Sequence, residues 1–127
     1  MCYNDYTLMK CNVTLDNGEV GVFTATGELE YKANGFKLSY ELDGDSCTLV
    51  FSNGVLSQAR IGSLNVDLDF KEGLETQCRI SDGALSGGFP LFTQKLEVAV
   101  SECGVNVFAV YDCSGEITAL KIKADII

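Results

Sequence analysis

From Asn34 to Gly73 the chain reads NGFKLSYELDGDSCTLVFSNGVLSQARIGSLNVDLDFKEG, and this stretch decides the fold. Phe36, Leu38, Tyr40 and Leu42 alternate with Lys37, Ser39, Glu41 and Asp43, the period of two expected of a strand with one buried face. Asp43-Gly44-Asp45 turns the chain, and Cys47, Leu49 and Phe51 resume the alternation. Asn53-Gly54 is the strongest short-range hairpin signal, because both residues accept a positive φ. Val55 to Ile61 returns, Gly62-Ser63 turns again, and Leu64, Val66, Leu68 and Phe70 alternate with Asn65, Asp67 and Asp69 before Lys71-Glu72-Gly73. Three successive hairpins predict an antiparallel meander.

The flanks extend it. Met9, Cys11, Val13 and Leu15 alternate within a strand predicted from Tyr6 to Leu15, and Asp16-Asn17-Gly18-Glu19 is a turn. A long strand follows from Glu19 to Lys32, with Gly21, Phe23, Ala25, Gly27, Leu29 and Tyr31 on its apolar face; the glycines there mark a bend or bulge. Leu74 to Ile80 is another strand, and Ser81 to Gly88 reads as loop or irregular turn. Pro90, the only proline, belongs at a strand start or edge because it cannot donate to a ladder. Phe89–Ser101, Val105–Cys113 and Glu116–Ile127 complete about ten strands with no stretch of helical period. So long a sheet exposes two edges unless it closes, so the sequence predicts an all-β, single up-and-down β-barrel whose first and last strands pair.

The length of 127 residues suits one domain over residues 1–127, and a hydrophobic fraction of 46% supplies a full core. No apolar run is long enough to span a bilayer as a helix, and Met1-Cys2-Tyr3-Asn4-Asp5 opens no secretory signal, which makes a cytoplasmic location the expectation. A net charge of −9, with the basic residues scattered, argues against nucleic acid and anionic membrane surfaces as partners. The six cysteines form no Cys-x-x-Cys pair and there is no histidine, so neither a zinc site nor a serine or cysteine triad of the usual kind can be assembled. Cys103 and Cys113 bracket one predicted strand and should lie about 30 Å apart. Free buried thiols are the expectation, with no cofactor and no metal.

A family resemblance is carried by Gly27-Glu28-Leu29-Glu30-Tyr31, Phe36-Lys37-Leu38-Ser39-Tyr40-Glu41, Arg60-Ile61-Gly62, Leu68-Asp69-Phe70 with Gly73, Phe89-Pro90-Leu91 through Thr93 to Leu96, Tyr111, and Gly115-Glu116. In order and spacing these resemble the bacterial DUF1934 family of domains of unknown function, and the likeness runs from Val20 to the end. The resemblance implies a calycin-like (lipocalin-like) β-barrel and brings no activity. Where that family has a Thr-Pro-Tyr-Gly turn, this chain has Ile80-Ser81-Asp82-Gly83 and extra residues through Gly88.

Arg60 is the most informative polar residue, sharing a strand face with Gln58 and Leu56. Pointing inward, it suits the carboxylate or phosphate of a small ligand; otherwise it pairs with Glu28 or Glu41 at a rim, or faces solvent. Val55, Ser57, Ala59 and Ile61 form the more apolar face of that strand, which turns Arg60 outward if the lumen is dry. Glu28 and Glu30, like Asp67 and Asp69, share a face two residues apart, as acid–base pairs or ligands of a hard cation do; Asp67 and Asp69 read as an ordinary solvated face. Asp43-Gly44-Asp45 lacks the twelve-residue pattern of an EF-hand and is a turn. The large aromatics could line a barrel mouth, but core packing needs the same residues and is much the commoner reason for them.

The leading expectation is a non-enzymatic module binding a small apolar or amphipathic ligand, with Glu28, Tyr40, Gln58, Arg60, Thr93 and Tyr111 as candidate contacts. It requires a lumen open at one end and not filled by side chains. The alternative is a protein-interaction or structural module with a solid core, which predicts an exposed apolar patch near Ser81 to Phe92 and a dimer in solution; as a partner state, monomer or homodimer is the expectation. An enzyme using a Glu28–Arg60 acid–base pair or a carboxylate-held metal ranks last.

Overall fold

Asp43-Gly44, Asn53-Gly54 and Ser114-Gly115 each place both residues at positive φ, from 52° to 85°, which is the two-residue turn whose twist matches paired strands. Such turns set the register of the whole sheet. The structure is a computed structural model that describes residues 8–17 and 21–127. Among these lie ten strands: β1 (Leu8–Asp16), β2 (Val22–Lys32), β3 (Gly35–Leu42), β4 (Asp45–Ser52), β5 (Val55–Ile61), β6 (Asn65–Phe70), β7 (Glu75–Ser81), β8 (Ser86–Ser101), β9 (Gly104–Cys113) and β10 (Glu116–Ile126). Each pairs antiparallel with the next, and β1 pairs with β10, so the meander closes into a barrel. Tyr6 and the Gly18-Glu19 part of the first expected turn lie outside the described residues. No helix among the described residues is long and apolar enough to cross a membrane.

Closure is staggered. A row of paired residues runs from Ile126 through Cys11, Gly27, Tyr40, Cys47, Arg60, Val66 and Ile80 and meets β8 at Gly87. The other way round, Asp125 leads through Gly104 to Ser101 at the far end of the same strand. Tilted strands in a closed barrel require such an offset. It has two local consequences. The start of β8, Ser86–Pro90, runs past the β9–β10 turn with β7 alone beside it, and Pro90 sits there, as a residue without an N–H must. The segment expected to be loop through Gly88 is therefore strand from Ser86 onward, because pairing with β7 overrides the weak propensity of Gly87-Gly88.

The second consequence is on β2, which leaves β3 beyond Gly27. A Cβ at Gly27 would lie 2.6 Å from the Ser39 carbonyl oxygen and 3.0 Å from Val13, so only glycine lets the two walls approach there.

The interior is filled through its middle. Side chains from all ten strands form one buried cluster, with Phe36, Leu38, Leu49, Leu56 and Phe70 on β3–β6 facing Val105, Val107, Ala109, Ile122 and Ala124 on β9 and β10. Large residues line one wall and small ones the other, the arrangement by which side chains fill a barrel interior. Phe70 and Tyr111, on strands separated by β7 and β8, meet edge to face across the interior with centroids 5.0 Å apart. Cys11, Cys47, Cys78, Cys103 and Cys113 are free thiols, the first three buried.

Candidate functional site

At the end of the barrel that carries the β3–β4 and β5–β6 turns, polar groups face inward. Alternation from fully buried Leu56 turns Gln58 and Arg60 to the interior, opposite Leu49 and Cys47. Of the two directions the sequence left open for Arg60, the structure takes the inward one, and the more apolar face of β5, ending in the exposed Ile61, is the outer one. The partner of Arg60 also differs from expectation. Its Nε donates to Asp45 Oδ2 at 2.7 Å, rather than to Glu28 or Glu41, because Asp45 shares the inner face of β4 with Cys47. Gly62 makes room for this carboxylate: a Cβ there would lie 2.0 Å from Asp45 Oδ1. Among the described residues the Nη nitrogens of Arg60 have no partner.

Tyr40 and Cys47 continue the cluster. Burial, above all, and the neighbouring Cys47 thiol push the Tyr40 phenol well up, against the Arg60 guanidinium and the Gln58 amide, which pull it down. Cys47 is likewise raised by burial despite Arg60 beside it, so its thiol stays protonated and is a poor nucleophile. Hydrogen bonding to Asp45 raises Arg60 further. Every one of these shifts moves away from neutrality, which suits fixed recognition by a permanent cation and a neutral phenol better than proton transfer.

The wall beside Arg60 is apolar. Arg60 pairs with Val66, Val66 with Ile80, and Gln58 with Leu68. Val66, Leu68 and Ile80 are partly exposed inward side chains packed against the core. That these three residues and Arg60 share one surface is not legible in the sequence, since they come from three strands joined only by register.

The other candidates separate. Thr93 is fully buried in the core, and its hydroxyl has no hydrogen-bond partner among the described residues. It lies opposite Tyr111, whose phenol burial also raises, opposed by the Thr118 hydroxyl. Glu28 stands on the outer face, between inward Gly27 and Leu29. There it lines a groove of about 460 Å³ with Lys10, Ser39, Glu41 and Thr48, and with Tyr40 and Cys47 at its floor. A second outer groove, of about 600 Å³, crosses β1, β10, β9 and β8. Its Phe108 ring lies under the ammonium groups of Lys95 and Lys121, at 5.8 and 5.7 Å. Asp69 forms only a 3.9 Å surface pair with Arg79. Among the described residues no three cysteine or carboxylate side chains cluster to hold a metal ion.

No family model matches the chain, and no curated protein matches it. Among solved structures, the crystal structure of the ywiB protein from Bacillus subtilis is similar, with a TM-score of 0.78 over 98% of this chain and 94% of that one. The two sequences are 19% identical, and the likeness establishes the fold alone.

Proposed function

We propose that this protein is a non-enzymatic binding module that takes a small amphipathic acid at the Arg60 end of the barrel. The carboxylate lies on the Nη edge of Arg60 and the apolar body along Val66, Leu68 and Ile80. The observation that carries this reading is the register: it sets a half-exposed guanidinium, already oriented by Asp45 through Nε, beside half-exposed apolar side chains on the same inner wall. A guanidinium held in this way binds a carboxylate through its remaining fork. The filled middle of the barrel does not meet the requirement of an unfilled lumen, so a ligand held within the barrel is given up and the reading is restricted to the surface of this end. Two strand spacings of about 4.8 Å give a wall about 10 Å long, matching a medium-chain acid such as octanoate. We also place the chain with the DUF1934 family on the motifs above; that placement carries a fold and no activity.

Titration of isotope-labelled protein with octanoate, followed by NMR, tests the reading. The methyl groups of Val66, Leu68 and Ile80 should shift on binding, and Arg60→Gln should weaken binding by about tenfold or more, as loss of a charge-assisted hydrogen bond does. Absence of binding at millimolar octanoate, or shifts confined to the outer grooves, overturns it. Native mass spectrometry of gently purified protein would identify a physiological ligand directly.

A further inference from the structure

The first residues of β8 have one neighbour. Ser86 to Pro90 pair with Ser81 to Gln77 of β7, while β9 joins only from Leu91, opposite Cys113. The direction of their backbone groups is fixed by Thr93, whose N–H donates to the Leu74 carbonyl at 3.2 Å and whose carbonyl accepts from Gly73 N–H at 2.8 Å. Thr93 thus faces the β7 side, and alternation gives Leu91, Phe89 and Gly87 the same direction. The Thr76 hydroxyl at the Leu91 carbonyl agrees. Ser86, Gly88 and Pro90 therefore present their backbone groups to the open edge.

We propose that two copies of this chain pair through this edge, antiparallel about a two-fold axis at Gly88. An open strand edge is complemented by another strand, and three features favour a second copy. First, each molecule carries −9, so copies repel wherever carboxylates meet; residues 83–94 contain no charged side chain. Second, the edge complements itself. About Gly88, the two copies exchange a central pair of Gly88 hydrogen bonds, and each Ser86 N–H donates to the other copy's Pro90 carbonyl. Pro90 has no N–H with which to extend the ladder, so the contact closes as a dimer rather than templating further strands. Third, this register sets Phe89 of one copy opposite Gly87 of the other. Phe89 is 44% exposed, and a Cβ at Gly87 would meet nothing within 4 Å, so the ring has a vacant place to cover. Leu85, 75% exposed, and Phe92, 41% exposed, flank the contact. The dimer does not depend on the Arg60 wall, and either proposal can fail alone.

Sedimentation velocity from about 1 μM to about 1 mM, with amide hydrogen exchange at both extremes, is the test. The expected result is a concentration-dependent dimer in which the Ser86 and Gly88 amides gain protection as concentration rises. Gly88→Pro removes the central donors without touching a bond to β7: its Cβ would lie 2.9 Å from the far end of the Gln77 side chain, which can shift, and 3.8 Å from the Cys78 carbonyl oxygen, an ordinary contact. It should raise the dimer dissociation constant at least about tenfold with the circular dichroism unchanged. A monomer at every concentration, a dimer whose Ser86 and Gly88 amides exchange as freely as in dilute solution, or a dimer indifferent to Gly88→Pro overturns the proposal. If Gly88→Pro does not fold, the exchange data on the unaltered chain decide.

Discussion

Tyr40 and Cys47 show at the scale of single residues how burial sets the chemistry of this barrel. Burial holds the Cys11, Cys47 and Cys78 thiols above their ordinary 9.0, and the Tyr31, Tyr40 and Tyr111 phenols above their ordinary 10.0. As pH rises, the unfolded chain releases these protons first, so folding is progressively disfavoured. Their contribution to stability is complete below 9.0 for the thiols and below 10.0 for the phenols. It is lost as pH climbs through the higher folded values. Urea midpoints measured between about pH 7 and about pH 11 should hold level and then fall from about pH 9 upward; a midpoint still level at the alkaline end would contradict this. Arg60 teaches the converse lesson. Its inward direction followed from alternation with Leu56, but the apolar character of the opposite face pointed the other way. Its partner, Asp45, was hidden because the two residues meet only when β4 and β5 pair.

At the scale of elements, β2 and β8 are the strands whose sequences depart most from plain alternation, and both depart where the stagger leaves them with one neighbour. Gly27 marks the point at which β2 leaves β3. Gly27→Ala would drive a methyl group to 2.6 Å from a backbone carbonyl, not a movable side chain. It should cost about 1–3 kcal/mol, as overpacking does, read from the denaturant midpoint. A change of less than about 0.5 kcal/mol, the range of a neutral surface substitution, would show that the walls separate there without strain. The turn residues made nearly every hairpin legible, since Asn53-Gly54 and Asp43-Gly44 have few alternatives to positive φ. The start of β8 was not legible, because Gly87-Gly88 carry no propensity of their own and become strand only by pairing with β7.

For the whole molecule, closure through β1 and β10 ties the most distant parts of the sequence into one cooperative unit. Phe70→Ala on β6 removes the ring that meets Tyr111 across the interior. It should cost about 3–5 kcal/mol and lower amide protection in β1 and β10 together with β6. Protection in β1 and β10 that stays at the wild-type level would mean that the barrel opens in separable parts. By itself the sequence determined the all-β class, the order of strands and turns, and the closed meander. These follow from local rules: a side-chain period of two, a short list of turn residues, and the cost of leaving a sheet edge bare. Only the tertiary structure decided that the middle is solid, that Arg60 faces inward onto Asp45 beside Val66 and Ile80, that Glu28 stands outside, and that β8 begins with an open edge. Each of these depends on register and stagger around a closed sheet, which is a property of all ten strands together and is written in no one of them.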